Sequence, residues 1–283
     1  MLQRMKQLVV TGSLVGLCAA RSAGAWYRVD ADANACHQAL AYPFATDCND
    51  HTANGYRIQR TGLRGGWDPD PAGGRGVVLS YGRSGNPWTI SGNGRLYQRT
   101  GTWENGSWSA VPLNACGTGA TIGFDTTGTL QNLAIHAPTL EDVPWVIDSS
   151  SKVRFWRTSS TPQCWALVET VPGTGTLKSI ASYVAPGQTG IWAVRGQSSY
   201  FFDGQHWQLI DNNTRTIMSR GYYGTDATGT WLGTYDRSAN YWTATPDWNT
   251  SFGDAILKLS SGTNTSADGG SYIDVHGHVW SNF

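Results

Sequence analysis

Residues 67–111 read WDPDPAGGRGVVLSYGRSGNPWTISGNGRLYQRTGTWENGSWSAV, and this stretch decides the fold. It contains four short apolar runs, at 76–82, 87–91, 95–101 and 107–111, separated by glycine, proline and asparagine. Runs of this length bounded by turn residues predict β-strands, and none is long or periodic enough for a helix. A single four-stranded sheet cannot bury its own apolar face, so it needs neighbours built in the same way.

Those neighbours follow a pattern, Trp-x-x-Val/Ile, that recurs along the chain. The tryptophans that carry the pattern or keep its spacing are Trp26, Trp67, Trp108, Trp165, Trp207 and Trp248, at intervals of 41, 41, 57, 42 and 41 residues. Trp67 and Trp248 keep the tryptophan but lose the aliphatic partner. Six copies of a four-stranded unit of about 40 residues predict an all-β fold, a six-bladed β-propeller of four-stranded blades.

The two ends of the chain predict how this ring closes. The last repeat begins at Trp248 and stops at Phe283, one strand short of a complete blade. The strand at Trp26, in turn, has no blade of its own. We therefore expect the N-terminal strand to complete the C-terminal blade and to cover two exposed sheet edges, which makes 26–283 a single propeller domain.

The first 25 residues predict a signal peptide. Arg4 and Lys6 precede an apolar stretch over 8–20, and small residues at 23–25 suit a signal peptidase. The apolar run has 13 residues, whereas a membrane span needs roughly 20. We therefore expect a secreted protein, extracellular or periplasmic, without membrane insertion.

Charge and composition exclude several classes of partner. Without Arg4, Lys6 and Arg21 the chain has 20 − 3 = 17 basic residues against 20 acidic ones. Nucleic acid is therefore not an expected partner, because phosphate binding needs a basic face. The chain has no Cys-x-x-Cys motif and no Cys/His cluster, so we expect neither a zinc site nor any other metal or cofactor.

Four cysteines follow the predicted signal peptide. Cys36 and Cys48 fall at the first and second strands of the first repeat, and an exported chain permits a disulfide between neighbouring strands. Cys116 and Cys164 fall at opposite ends of one predicted blade. We therefore expect these two cysteines to be unpaired, unless the repeat register is wrong.

The repeats resemble the tectonin β-propeller repeat. The segments that carry the resemblance are WALV at 165–168, LKSIA at 177–181, GIWAV at 190–194, YFF at 200–202 and WQLI at 207–210. The resemblance covers 26–283 and is strongest over 67–210. It implies a lectin whose partners are glycans or glycoconjugates on a cell surface.

Sugar chemistry selects the candidate ligand-binding residues. Saccharides pack their C–H faces on aromatic rings, and their hydroxyls need planar donors and acceptors. The loops between second and third strands, with one aromatic residue outside the repeat, provide Arg95, Trp103, Lys152, Arg195, Asp236, Arg237 and His276. Ordinary solvated turns have the same composition, so these loops are also consistent with turns that bind no ligand. Trp103 is the candidate exposed ring, whereas the second-strand tryptophans are expected to pack between blades, namely Trp88, Trp145, Trp192 and Trp231.

These observations favour a non-catalytic lectin that binds glycans through several sites as a monomer. A propeller glycosidase of the sialidase kind is one alternative. However, the turns at Asp125 and Asp226 have the glycine of an Asp box one place late, and no pair of carboxylates stands out for hydrolysis. A protein-interaction scaffold that uses the same loops is the other alternative.

Overall fold

A computed structural model describes the chain at residues 27–28, 37–41, 43–61, 66–82, 84–126, 132–136, 141–185, 188–214, 216–217, 223–225, 231–236, 241–243, 256–261, 270–274 and 279–281. The regular elements of these residues are β-strands, arranged in six antiparallel sheets. The predicted all-β class is thereby confirmed. Among the described residues no helix is long and apolar enough to cross a membrane. The predicted signal peptide, residues 1–25, lies outside the described residues.

The strands are numbered in chain order. The first, β1 (Tyr27–Arg28), pairs with the last strand of the chain and belongs to sheet 6. Sheet 1 contains β2 (His37–Ala41), β3 (Phe44–Thr52), β4 (Gly55–Thr61), β5 (Trp67–Pro69) and β6 (Arg75–Gly76). Sheet 2 contains β7 (Val78–Tyr81), β8 (Pro87–Ile90), β9 (Leu96–Thr100) and β10 (Ser107–Ala110). Sheet 3 contains β11 (Leu133–His136), β12 (Val143–Ile147), β13 (Val153–Arg157) and β14 (Cys164–Leu167).

The second half of the chain continues the pattern. Sheet 4 contains β15 (Leu177–Ala185), β16 (Gln188–Arg195), β17 (Ser198–Phe202) and β18 (Trp207–Asp211). Sheet 5 contains β19 (Thr216–Ile217), β20 (Tyr223–Thr225), β21 (Trp231–Asp236) and β22 (Tyr241–Thr243). Sheet 6 contains β23 (Ile256–Ser261), β24 (Gly270–Asp274) and β25 (Val279–Ser281), followed in space by β1.

Sheet 2 contains the four strands predicted from residues 76–111. They pair antiparallel in chain order, with β7 at one edge and β10 at the other. The segment that opens this stretch, rich in proline and aspartate, contains a strand outside the four predicted runs. Trp67 pairs with Thr61 in sheet 1, so residues 67–69 form an outer strand. Residues 70–74 then loop out before Arg75 and Gly76 return to pair with the same strand β4.

The hydrophobic core lies between neighbouring sheets. The first strands contact each other in order, β2 with β7, β7 with β11, β11 with β15 and β15 with β19. Trp88 is buried in a cluster shared by sheets 2 and 3, and Trp145 in one shared by sheets 3 and 4. Trp192 is buried with Ile217 of sheet 5. The prediction that these tryptophans pack between sheets is confirmed, while the Trp231 side chain lies outside the described residues.

Two tryptophans on the fourth, outer strands tether sheets 3 and 4 to the segments that connect each of them to the preceding sheet. The indole Nε1–H of Trp165 donates to the Pro112 carbonyl oxygen at 2.8 Å, and that of Trp207 donates to the Glu169 carbonyl oxygen at 2.8 Å. Both acceptors lie in connecting segments between sheets. The repeated tryptophan therefore fixes the path of the connection as well as filling the interface.

The disulfide pattern corrects one prediction. Cys116 and Cys164 form a disulfide, so the expectation that they are unpaired is wrong. Residues before the third sheet first run along its outer edge, where Ala115 forms a parallel bridge with Trp165. The Trp165 N–H donates to Asn114 O, and the Cys116 N–H donates to Trp165 O, each at 2.9 Å. This detour, which the long 108–165 interval accommodates, brings the two cysteines together and covers the sheet edge.

The predicted Cys36–Cys48 disulfide stays a prediction, because Cys36 lies outside the described residues. The described strands β2 and β3 are antiparallel, and His37 pairs with Asp47.

The N-terminal strand pairs with the far end of the chain. Tyr27 lies opposite Ser281 and Arg28 lies opposite Trp280 in an antiparallel ladder. Trp26 itself lies outside the described residues. The described part of the N-terminal segment therefore occupies the fourth position of sheet 6.

A histidine is held neutral at the interface of sheets 3 and 4. His136 Nδ1 lies 2.9 Å from Ser182 Oγ, and its ring meets Trp145 edge-on. Burial lowers the pKa of His136 to about 4, because the charged imidazolium would lose its hydration there. The histidine is therefore uncharged at neutral pH in the folded protein.

Replacing both Cys116 and Cys164 by serine is expected to lower the free energy of unfolding. The disulfide closes a loop with a sequence separation of 48 residues. Losing that constraint on the denatured chain costs about 3 to 4 kcal/mol in the chain-entropy view. Chemical denaturation of the mature protein measures the loss. Non-reducing peptide mapping must also find the 116–164 link, and free thiols at both positions would contradict the structure. The same mapping tests the link between Cys36 and Cys48.

The His136 pKa predicts a loss of stability in mild acid. Between pH 6.5 and about 4 the unfolded chain binds a proton that the folded protein does not, so the free energy of unfolding falls as pH falls through this window. The full effect is about 3 kcal/mol, and it disappears above pH 6.5. His136→Gln should show a shallower fall in urea denaturation, whereas His206→Gln, at an exposed position, should match the parent. Identical pH profiles for parent and His136→Gln would refute this assignment.

Candidate ligand-binding cleft between sheets 1 and 2

A cleft of about 230 Å³ lies where the rims of sheets 1 and 2 meet. Its walls come from the β3–β4 turn, the 70–75 loop and the β8–β9 loop, and its floor comes from side chains of sheet 2. The lining residues are Asn54, Ala72, Gly73, Gly74, Arg75, Thr89, Ser91, Asn93, Tyr97 and Trp108. The cleft thus combines two aromatic rings with amide, hydroxyl and guanidinium groups.

The floor of the cleft is one face of sheet 2. Tyr97 pairs with Thr89 on one side and with Ala110 on the other, and side chains of paired residues share a face. Trp108 lies on the same strand as Ala110, two residues earlier, and therefore on the same face. Both rings are half-buried, so each has an edge or face available to a ligand.

Asp70 organises the loop and the floor together. Its carboxylate has no exposed surface and accepts hydrogen bonds from Ala72 N at 3.2 Å, Gly74 N at 2.7 Å, Arg99 Nε at 3.1 Å and Trp108 Nε1 at 2.6 Å. Four donors satisfy the lone-pair directions of the carboxylate. The Asp70 side chain therefore holds the 70–74 loop and the Trp108 indole in one arrangement.

Arg99 is the counter-ion of Asp70 and is equally buried. Its side chain forms an ion pair with Asp70 at 3.1 Å and has 1% of its surface exposed. Its terminal nitrogens also donate to the carbonyl oxygens of Thr102 at 2.8 Å and Trp103 at 2.6 Å. A buried ion pair tolerates its desolvation only when such additional hydrogen bonds are present.

Asp70 stands where the repeat has an aliphatic residue. The Asp70 N–H donates to Ile58 O at 2.8 Å, as Val111 N–H donates to Leu96 O at 2.9 Å and Val168 N–H to Val153 O at 3.0 Å. These matching hydrogen bonds identify Asp70 as the fourth residue of the Trp67 motif. Asp70 therefore replaces the Val or Ile of the repeat, while the backbone hydrogen bond at this position is kept.

Arg99 stands where sheet 3 has an aromatic residue. Arg99 lies opposite Trp108 in the ladder, and Trp156 lies opposite Trp165 at the corresponding place. Trp156 and Trp165 pack with ring centroids 5.1 Å apart. An ion pair has thus replaced an apolar contact at the interface of sheets 1 and 2.

This exchange leaves part of the aromatic floor open to the cleft. In the connection between sheets 2 and 3, Phe124 packs edge-on against Trp165 with centroids 5.0 Å apart. In the next connection, Val171 is buried in one cluster with Tyr200 and Trp207. Apolar residues of the connecting chain therefore occupy the region above these outer tryptophans.

Glycine takes the place of such a cover in the first connection. A Cβ on Gly74 would lie 2.2 Å from Trp108 Nε1, so no larger residue fits there. The loop curls around the Asp70 carboxylate, and the ring of Trp108 stays open to the cleft. The described interfaces of sheets 2 to 4 do not repeat this arrangement, although the repeat pattern predicted several similar sites.

Two loops from different sheets are joined at the rim. The Gly92 N–H donates to Asn54 O at 2.9 Å, and a Cβ on Gly92 would lie 2.5 Å from Ala53 O. The Ser91 hydroxyl donates to Asn93 Oδ1, which orients the Asn93 amide. The amides of Asn54 and Asn93 therefore stand on a braced rim rather than on independent loops.

Arg75 brings a guanidinium to the cleft wall with its charge already paired. Its Nη2 lies 2.6 Å from Asp50 Oδ1, and its Nη1 donates to Asp50 O at 3.0 Å. Arg57 lies on the other carboxylate oxygen of Asp50 at 3.6 Å. The hydrogen bond from Arg75, then the charges of Arg75 and Arg57, lower the pKa of Asp50, so the carboxylate stays ionised.

Most predicted binding residues lie elsewhere. Arg95 is exposed in the β8–β9 loop, close in sequence to Asn93 but outside the cleft lining. Lys152 is exposed in the corresponding loop of sheet 3, where its N–H donates to Asp148 Oδ1. Arg195 donates from Nη1 to Val171 O at 2.7 Å and so braces a connection. The described members of the set therefore lie on three separate sheets and do not form one site.

Of the other four predicted residues, the structure corrects the expected exposure of one and leaves the roles of three as predictions. Trp103 is not an exposed platform, because its half-buried ring lies between the guanidinium carbons of Arg60 at 4.9 Å and Arg99 at 4.8 Å. The side chains of Asp236, Arg237 and His276 lie outside the described residues. Tyr97, Trp108 and Asp70 were missed as site residues, although the missing aliphatic partner of Trp67 marks the position of Asp70.

The comparisons with known proteins support the fold. No family model matches the chain, and no curated protein matches it in sequence. Among solved structures, YCF48 from Cyanidioschyzon merolae is 12% identical with a TM-score of 0.52, covering 91% of this chain and 98% of that one. YCF48 bound to D1 peptide is 14% identical with a TM-score of 0.52, covering 92% and 99%. A triple arginine-to-alanine mutant of AofleA from Arthrobotrys oligospora is 10% identical with a TM-score of 0.49, covering 90% and 84%.

These likenesses are to β-propeller proteins, and at such low identity they concern the fold alone. The four-stranded antiparallel sheets of this chain are consistent with that class of fold. The resemblance to the tectonin repeat stays a prediction.

The ion pair of the cleft gives a stability test. Asp70→Val restores the aliphatic residue of the repeat but leaves Arg99 buried without its counter-ion, which should cost about 3 to 5 kcal/mol of unfolding free energy. Adding Arg99→Phe removes the stranded charge, so the double variant should recover part of that loss, while the Gly74 and Trp108 N–H groups still lack the Asp70 acceptor. Urea denaturation of the parent, both single variants and the double variant measures the coupling. Additive losses would show that the two side chains do not act as a pair.

Proposed function

We propose that this protein is a secreted, non-catalytic carbohydrate-binding β-propeller, and that the cleft between sheets 1 and 2 binds the sugar. The observation that carries the proposal is an open aromatic floor bordered by planar polar groups. Trp108 and Tyr97 offer surfaces for the C–H face of a sugar ring. The amides of Asn54 and Asn93 and the guanidinium of Arg75 offer donors and acceptors for its hydroxyls.

The proposed scaffold is a six-bladed ring over 26–283 of tectonin-like repeats. Six sheets among the described residues support it. Contacts of β19 with β23 and of β23 with β2 extend the series of neighbouring first strands back to its beginning. Pairing of β1 with β25 is the arrangement that closure by the N-terminal strand requires. A closed ring would leave the rim loops of each blade facing solvent on one side.

Secretion is part of the proposal. It rests on the basic and apolar segment at 1–25, which has the order of a signal peptide. The Cys116–Cys164 disulfide supports it, because structural disulfides persist in oxidising compartments.

Hydrolysis is the less favoured activity at this cleft. A glycosidase uses two carboxyl groups that flank the scissile bond. The cleft lining contains neither aspartate nor glutamate, and the nearby Asp70 carboxylate is buried under four hydrogen-bond donors. The proposed site therefore recognises a ligand without transforming it.

Peptide binding is the second candidate function. It is favoured by one specific observation, that a protein of similar fold, YCF48, has a structure bound to D1 peptide. A cleft of about 230 Å³ accommodates one ring or one side chain, whereas an extended peptide needs a longer groove. The size of the cleft therefore favours the sugar.

A glycan array probed with the mature protein, residues 26–283, tests the proposal. We expect binding to defined glycans without release of reducing sugar or sialic acid. Asn93→Ala, at the rim of the cleft, should weaken binding at least tenfold, because it removes hydrogen bonds to sugar hydroxyls. Lys152→Ala, on the corresponding loop of sheet 3, should bind like the parent.

Three other outcomes would reject the proposal in different ways. Loss of binding in Lys152→Ala but not in Asn93→Ala would place the site on the rim predicted from sequence rather than in the cleft. Release of free sugar would indicate a glycosidase. Binding to a peptide array without any glycan binding would favour the interaction scaffold.

A further inference from the structure

We infer that the cleft selects a single uncharged sugar ring over acidic sugars. This inference rests on the proposed function, since it names the class of saccharide that the same cleft accepts. Three properties of the site carry it: the engagement of the Arg75 guanidinium by Asp50, the size of the cleft, and the exposed part of the Trp108 ring. Each follows from contacts already described at the interface of sheets 1 and 2.

The one guanidinium of the cleft lining is already engaged within the protein. Arg75 lies 2.6 Å from the Asp50 carboxylate and also donates to the Asp50 carbonyl oxygen at 3.0 Å. Asp70 and Arg99 neutralise each other at the interface of sheets 1 and 2 and are almost fully buried. An acidic sugar would lose hydration on entering the cleft and would compete with Asp50 for the Arg75 guanidinium. An uncharged sugar has no such penalty.

The size of the cleft suits one sugar ring. Clefts that enclose drug-sized molecules have volumes of about 300–1,000 Å³, and this cleft has about 230 Å³. The hydrogen bond between Gly92 N and Asn54 O ties the two walls that border it. Widening the cleft for a second ring would require breaking this link between sheets.

The exposed part of the Trp108 indole gives the ring a place to stack. Phe124 occupies the corresponding region above Trp165, and Val171 is buried in the cluster of Trp207. A saccharide on Trp108 would therefore take the position that a side chain of the protein takes in the next two interfaces. Such stacking is insensitive to salt, because it involves C–H groups and an aromatic ring rather than net charge.

Ala72 is the position at which the cleft can be closed by substitution. Ala72 is exposed and lines the cleft, so Ala72→Trp places a ring over the floor as Phe124 does over Trp165. Thr174→Trp is the matched control, because Thr174 is exposed in the corresponding connection between sheets 3 and 4. Both variants add the same side chain to an exposed connecting loop, so a general effect on folding would be seen in both.

The experiment titrates the mature protein with two groups of probes. The uncharged probes are the methyl glycosides of glucose, galactose, mannose and fucose, and the acidic probes are glucuronic acid and N-acetylneuraminic acid. Tryptophan fluorescence reports binding at 50 and 500 mM NaCl. At least one uncharged glycoside should bind, with a dissociation constant that changes less than twofold with salt, and the acidic sugars should bind at least tenfold more weakly. Ala72→Trp should lower affinity at least tenfold, and Thr174→Trp should not.

The remaining outcomes separate this inference from the proposed function. Preferential, salt-sensitive binding of the acidic sugars would overturn the inference and leave carbohydrate binding intact. Salt-insensitive binding that survives Ala72→Trp would also overturn it, because the sugar would then bind outside the cleft. Absence of binding to these probes together with a blank glycan array would reject the proposed function itself.

Discussion

The hydrogen bonds from two outer-strand tryptophans to the preceding connections are the interactions on which the interfaces of sheets 2 to 4 depend. Each joins one sheet to the chain that leaves its neighbour, at Trp165 with Pro112 and at Trp207 with Glu169. Because both indoles are buried, an unsatisfied N–H would be costly, and the connection meets this requirement with a backbone carbonyl.

At the interface of sheets 1 and 2 the same requirement is met differently. The acceptor is the side chain of Asp70 instead of a backbone carbonyl, and its negative charge needs Arg99 where sheet 3 has Trp156. The connection then folds around the carboxylate rather than lying over the tryptophan. One departure from the repeat thus converts a packing residue, Trp108, into the floor of a cleft. The cleft is therefore a modified form of the interface between two sheets.

The described residues chosen from loop composition lie outside the cleft lining. Cations next to small polar residues are favoured in solvated turns whether or not a ligand binds, so composition alone does not distinguish a binding role of Arg95 and Lys152 from simple exposure. Trp103 lay outside the repeat, yet the guanidinium groups of Arg60 and Arg99 cover its ring. The repeat itself is more informative about the cleft, because Trp67 lacks its aliphatic partner. Comparing copies within one chain reveals such an exchange, whereas the composition of a single loop does not.

The sequence by itself determined the strand content, the repeat length and the burial of the second-strand tryptophans, because these follow from local turn chemistry and from apolar residues that recur at a fixed interval. Only the tertiary structure decided which cysteines meet and which aromatic ring stays partly open. Cys116 reaches Cys164 because the chain first follows the outer edge of sheet 3. Trp108 stays partly open because the connection curls around Asp70, which pairs with Arg99, 29 positions further along the chain. Both outcomes depend on the path of a connection between sheets. Contacts between residues so far apart in the sequence leave no periodic pattern in it.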